Sequence, residues 1–199
     1  EDRKIYEGAW NGYKNSDRSN IANTMNVLAA TLTQLPGTDE EKETNSINAF
    51  ELYKCASDLG DPDAMCNLAD LYLAQKKVDT AIAMYRSAIK AKCPRAMNDL
   101  ACLLLELNDA EDENEAYYDE AFKLLHEAND LDYPDAMHNL AGLYLERDDI
   151  KNNVKKAIEL YRRAACLGKL TSVNELAKLL LQSEIINEQY EESYNKAWN

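Results

Sequence analysis

Four stretches of the chain can be written one beneath another: AFELYKCASDLGDPDAMCNLADLY from Ala49, AIAMYRSAIKAKCPRAMNDLACLL from Ala81, AFKLLHEANDLDYPDAMHNLAGLY from Ala121 and AIELYRRAACLGKLTSVNELAKLL from Ala157. Their starts lie 32, 40 and 36 residues apart. Self-similarity at such a period restricts the fold to stacked copies of one supersecondary unit, since a single unit cannot bury its apolar face alone. Three of the four prolines, Pro62, Pro94 and Pro134, share one register position, each two residues before Ala and three before Met. Proline suits the first turn of a helix, where its missing N–H has no partner to lose. Each therefore marks the start of a second helix, and the unit reads as helix A, a short turn and helix B.

The register extends beyond these four stretches. Ala9, Trp10, Tyr13 and Lys14 stand forty residues before Ala49, Phe50, Tyr53 and Lys54, while Tyr194 and Ala197 take the helix-A places of Tyr161 and Ala164. A single array over residues 1–199 follows, with units at approximately 3–40, 43–76, 78–108, 113–149 and 151–183 and a terminal helix at 186–198, about eleven helices in all. Composition agrees. The chain is 46% hydrophobic, mostly Ala and Leu, and only six Gly and four Pro interrupt it, a balance that favours helices over strands. On helix A, Ala49, Leu52, Tyr53 and Ala56 share an apolar arc, as do Ala64, Met65, Leu68 and Leu71 on helix B; the small residues allow close helix approach. Met25, Met65, Met97 and Met137 recur once per repeat, which assigns them to core packing rather than to a soft-metal site.

The pattern Ala-x3-Tyr-x2-Ala, then x7-Ala-x3-Leu-Ala-x-Leu-Tyr, at a spacing near 36, resembles the Sel-1-like repeat family, relatives of the tetratricopeptide repeats. The match is most specific at Ala64–Tyr72 and Ala136–Tyr144. The resemblance implies an all-α, right-handed α/α superhelical solenoid whose concave face is lined mainly by helix A, and a role as adaptor or scaffold. Three departures stand out: the family's Gly-rich turn after helix B is replaced by Gln75-Lys76-Lys77, by the acidic segment after Asn108 and by Arg147-Asp148-Asp149. Where some bacterial members carry a cysteine pair in each unit, this chain has Ser57 and Met65, which disfavours that subgroup.

Charge is uneven. Lys and Arg number 22 against 36 Asp and Glu, a net −14, which argues against nucleic acid as a partner because that affinity rests on displacing counterions with Lys and Arg. Twelve acidic residues against one Lys fall between Glu106 and Asp135, along an expected long connection at Asn108–Tyr118 and the helix A that follows. Within it, Glu111, Asp112, Glu113 and Glu115 form an acidic patch, read either as a solvated loop or as a surface for a basic partner. A Ca²⁺ site fits poorly, for the segment lacks the Gly turn and ligand order of an EF-hand loop. From Lys151 to Lys169 the sign reverses, with six basic residues against Glu159 alone; the two segments can neutralise one another, align a bipolar ligand or favour self-association. Lys14, Lys54, Arg86, His126 and Arg162 share one helix-A position off the apolar arc. They form a candidate row facing the groove and holding acidic groups of a peptide, against the plain reading of ordinary exposed helix residues.

Enzyme signatures are missing: no Gly-rich phosphate loop, no Gly-x-Ser-x-Gly, no His-Glu-x-x-His. No catalytic residue, metal site or cofactor is expected, and His138, standing where Asn98 and Asn174 stand in other repeats, reads as structural. The five cysteines are odd in number and irregular in spacing, as expected of reduced thiols in the cytoplasm rather than of a disulfide framework or zinc site. No stretch of about eighteen apolar residues suggests membrane insertion. The opening Glu-Asp-Arg-Lys, without Met, is expected of an excised domain whose targeting signals lie elsewhere. These readings converge on a non-enzymatic module binding a partner peptide or helix in its groove. The alternative is a regulatory or architectural portion of a larger protein, docked on its own remaining domains; a small-molecule or glycan binder ranks below both, because most Tyr residues sit in packing register. The oligomeric state is left open.

Overall fold

The computed structural model describes residues 18–110, 115–146 and 150–182. The expected first helix A with Lys14, the residues Glu111, Asp112 and Glu113, the turn at Arg147-Asp148-Asp149 and the expected helix at 186–198 lie outside the described residues. Among the described residues there are nine helices and no strand: α1 (Arg18–Gln34), α2 (Asp39–Asp58), α3 (Pro62–Ala74), α4 (Val78–Lys90), α5 (Pro94–Ala110), α6 (Glu115–Asp130), α7 (Pro134–Leu145), α8 (Ile150–Cys166) and α9 (Leu170–Gln182). All three register prolines begin a helix, as the sequence predicts. The chain falls into two compact units, Glu1–Leu100 and Ala101–Asn199.

In the first unit α1 packs on α2 and α3, α2 on α3, and α3 on α4. The contact surfaces are built on alanine. Ala22, Ala29, Ala49, Ala56 and Ala64 have at most 1% of their surface exposed and cluster with Tyr53 and Leu68. Small side chains let one helix approach another closely, so the repeat spends its bulk on single large residues per turn. Leu52, Met65 and Leu71 are half-buried at the margin. In the second unit α6 packs on α7, α7 on α8 and α8 on α9, with Ala121, Leu125, Ala128, Ala136, Met137, Leu140, Ala157 and Ala164 all fully buried. Met97 and Met137 are in the core, Met25 packs half-buried against it, and Met65 is half-buried.

One turn recurs at every A-to-B junction among the described residues. After α2, the amide of Asp61 donates to the Ala56 carbonyl and that of Gly60 to Ser57. The same pair of bonds follows α4 (Cys93 to Ala88, Lys92 to Ile89), α6 (Tyr133 to Ala128, Asp132 to Asn129) and α8 (Lys169 to Ala164, Gly168 to Ala165). This is the Schellman closure, which satisfies the last carbonyls of a helix and needs one residue in the left-handed region. Gly60 and Gly168 supply it at φ 95° and 93°; Lys92 and Asp132 adopt φ 58° and 56° instead. The replaced Gly turn at Gln75-Lys76-Lys77 keeps the same geometry, with Lys76 at φ 61° and Lys76 and Lys77 donating to Leu73 and Tyr72. The turn survives the loss of its glycine at the cost of left-handed backbone on a lysine.

The helix starts are capped by different means. Thr38 and Glu41 form a reciprocal capping box on α2, the Thr38 amide donating to Glu41 Oε2 at 2.7 Å and the Glu41 amide to Thr38 Oγ1 at 3.3 Å. Asp61 Oδ1 accepts the Ala64 amide at 2.7 Å on α3. The acidic connection is shorter than the sequence suggests: α5 continues to Ala110 and α6 already starts at Glu115. Glu and Ala are good helix formers, and acidic side chains in a first turn are favoured by the partial positive charge of a helix N-terminus.

Candidate functional site

Helix α6 of the second unit carries three rings on one face at four-residue spacing, the spacing that stacks side chains along a helix. Tyr118 and Phe122 stack with centroids 6.5 Å apart, and Phe122 meets His126 edge-on at 4.7 Å. Tyr144 comes from α7 and stands edge-on to both Phe122 and His126, at 5.5 and 5.9 Å. His126 Nε2 and the Tyr144 hydroxyl are 3.0 Å apart. From α8, Lys156 Nζ lies 4.7 Å from the Tyr144 ring centroid, a cation–π contact that positions the ammonium. Of these groups His126, Tyr144 and Lys156, with Asn129, Leu140, Lys155, Glu159 and Leu160, line a cleft of about 340 Å³ between α6 and α8, floored by α7.

The cleft's electrostatics follow from burial. Partial burial lowers the pKa of His126 below the ordinary 6.5; Asp130 opposes this and Lys156 adds to it. The imidazole is therefore neutral at neutral pH, so the positive charge at the cleft comes from Lys155 and Lys156. Glu159 is 3.6 Å from Arg162 one turn along α8. Of the proposed row, His126 lines this cleft, whereas Arg162 does not and is paired with the lining residue Glu159. In the first unit Lys54 on α2 and Arg86 on α4 are exposed. Lys14 lies outside the described residues, as do Glu111, Asp112 and Glu113, while Glu115 begins α6.

Other charges of the second unit are spent internally. Arg163 reaches from α8 to Asp132 at 2.8 Å and to Asn129 Oδ1 at 3.1 Å, and Lys169 pairs with Asp135. These two ion pairs join the acidic to the basic segment, as the first of the three alternatives has it, but only for Asp132 and Asp135. His138 is structural in its contacts: Nδ1 is 2.9 Å from the hydroxyl of fully buried Ser172 and its ring meets Tyr161 at 5.2 Å.

The first unit holds a polar network that the sequence did not reveal. Arg95, in the first turn of α5, binds Asp70 Oδ2 at 3.0 Å and Asn67 Oδ1 at 2.9 Å on α3, and Asp99 Oδ2 at 3.3 Å on its own helix. Asn67 in turn donates to Asn26 on α1 at 2.8 Å. The available signal was register: Arg95 stands where Asp63 and Asp135 stand in neighbouring repeats. Beside it, the buried thiol of Cys66 hydrogen-bonds to Cys93, a contact that lowers the Cys93 pKa to about 6. Among the described residues no group of three or more His, Cys, Asp or Glu is arranged to hold a metal ion, and no helix is long and apolar enough to cross a membrane.

Comparison with known proteins places this geometry. The Sel1 repeat model matches residues 24–61, 62–92, 94–133 and 134–169. Comparison with curated proteins gave no match. Among solved structures, a Sel1 repeat protein from Oxalobacter formigenes is similar at 21% identity with a TM-score of 0.63, over 87% of this chain and 69% of that one. The protective antigen c5321 of uropathogenic Escherichia coli, which displays an SLR fold, is similar at 22% identity with a TM-score of 0.64, over 79% of this chain and only 33% of its own length. Both likenesses concern the fold, an all-α repeat solenoid. Four matched repeats spanning most of the sequence, with the same turn closing each described A-to-B junction, establish that the chain belongs to the Sel1 repeat family.

Proposed function

We propose that the chain is a non-enzymatic interaction module that binds a peptide or helix of a partner protein on the surface presented by its A helices, with Lys54, Arg86, His126 and Arg162 as contact residues. Sel1 repeats are generally protein-interaction repeats, and their fold is typically a non-catalytic scaffold. The observation that carries the reading is the cleft at His126: an open slot between two successive A helices, already walled by packed rings before any partner arrives. Preorganised walls lower the ordering cost that association otherwise pays.

The test is affinity capture from a native extract with the chain as bait, run beside K54E/R86E/R162E. A partner held by the parent chain and lost by the variant at unchanged helicity supports the reading. Equal capture by both removes these residues from it. Capture only of further segments of the chain's own parent protein favours a docked regulatory domain.

A further inference from the structure

Helix α8 carries its cations in two states. Arg162 is paired with Glu159 and Arg163 with Asp132, while Lys169, in the turn that follows the helix, is paired with Asp135. Lys155 and Lys156 are exposed and, among the described residues, enter no ion pair. Lys155 and Lys156 thus present positive charge on the surface of a chain of net charge −14. Both line the one cleft floored by Leu140 and Tyr144 and flanked by Leu160. We infer that this cleft takes a bulky apolar side chain of a partner peptide whose neighbouring Asp or Glu carboxylates are held by Lys155 and Lys156. This deepens the interaction-module reading and rests on it.

Three features select this occupant. A volume of about 340 Å³ is at the small end of ligand pockets, suited to one anchoring side chain and not to a whole helix pressed inward. Leu140, Tyr144 and Leu160 supply the apolar part of the lining, so an apolar anchor set against them gains by desolvation, and anchors in such pockets carry most of an interface's affinity. The charge at the mouth is positive on the Lys155 and Lys156 side, while Glu159 along the same helix repels a second acid. The carboxylates are thereby directed toward the start of α8. A phosphate backbone does not fit, because the net charge of the chain repels a polyanion over its whole length.

The test is a random-peptide display selection against the chain, followed by fluorescence-anisotropy titration of the selected peptides against the parent and K155E/K156E. Both lysines are exposed, and circular dichroism confirms that the variant is folded. The expected result is enrichment of an apolar anchor beside Asp or Glu, with affinity about tenfold or more weaker for K155E/K156E and lost when the anchor is replaced by Ala. Selected peptides that are basic, or that bind both proteins equally, overturn this inference while leaving a binding groove in place. If no peptide is enriched, this inference and the interaction-module reading both fail.

Discussion

The hydroxyl of Tyr85 donates to Asp70 Oδ1 across the α3–α4 contact at 2.5 Å. Fifteen residues apart in sequence, the two side chains meet because Tyr85 is the large residue of helix A and Asp70 faces it from the preceding helix B. The same two positions in the second unit hold Tyr161 and Gly142, and a Cβ added at Gly142 would stand 3.9 Å from the Tyr161 hydroxyl. Tyr161 has no hydrogen-bond partner among the described residues; burial raises the pKa of both tyrosines, and at Tyr85 the bond to Asp70 adds to it. Repeat-equivalent substitutions therefore differ. Tyr85→Phe removes a hydrogen bond to a charged acceptor, worth about 1.5–3 kcal/mol, toward the lower figure because Asp70 is half exposed and keeps Arg95. Tyr161→Phe is expected within about 0.5 kcal/mol of the parent. Urea unfolding of the two variants side by side measures the difference, and equal losses would dissolve the distinction.

What the sequence made legible is what repeats. Pro62, Pro94 and Pro134 announce the B helices, and the invariant Ala spacing announces the buried faces, since both follow from local backbone and packing rules that apply in every copy. The parts that break the repeat were not legible. Lys76, Lys92 and Asp132 look like lost glycines, yet the turn is fixed by the carbonyls it must satisfy and by the helices it joins, so it persists. Arg95 acts through residues 25 and 28 positions earlier, a distance at which register alone says nothing of a partner. The cleft was half visible: Tyr118, Phe122 and His126 show helical spacing, but the contact of Tyr144 with Lys156 arises only when α7 and α8 pack.

The turns offer a stability test. Lys76 and Lys92 hold φ near 60°, where a side chain costs about 1–2 kcal/mol relative to right-handed backbone and Gly costs nothing steric. Lys76→Gly and Lys92→Gly are each expected to stabilise by about 0.5–1 kcal/mol, the gain being reduced by the larger entropy of Gly in the unfolded chain. Gly60→Ala and Gly168→Ala should destabilise by a similar amount, despite open space around both Cβ positions of the kind that would normally tolerate a methyl. Thermal unfolding resolves the sign, and destabilisation by Lys→Gly would show that the lysine side chains contribute contacts that outweigh the backbone.

Cys93 occupies the N-cap place that Asp61 fills on α3. The backbone amides of Ala96 and Arg95 and the Cys66 thiol all donate to its sulfur, Cys66 contributing most to the lowered pKa. An N-cap acceptor is worth about 0.5–2 kcal/mol relative to Ala. Cys93→Ser keeps an acceptor of nearly the same size, so it is expected to retain most of that stability, while Cys93→Ala loses it. The comparison is made by denaturant unfolding under reducing conditions; equal losses from Ser and Ala would assign the role of Cys93 to packing alone.

Acid should weaken the second unit through its two histidines. Burial lowers the pKa of both below 6.5, with Lys156 acting in the same sense on His126 and Lys169 on His138. Asp130 opposes the shift at His126, and Glu175 and Asp135 oppose it at His138. Above pH 6.5 folded and unfolded forms are both neutral and nothing changes; as pH falls toward the folded values, the unfolded chain binds protons first and stability declines. His126→Gln and His138→Asn, the latter restoring the residue of Asn98 and Asn174, should therefore flatten the fall in stability between about pH 6.5 and 5 relative to the parent. Asp99, raised by burial, titrates in the opposite sense but is present in the parent, both single variants and the double variant alike, and cancels from the comparison. Unfolding midpoints across this pH range decide it: parallel profiles for parent and double variant would mean that the histidines gain as much from their carboxylate neighbours as burial takes away.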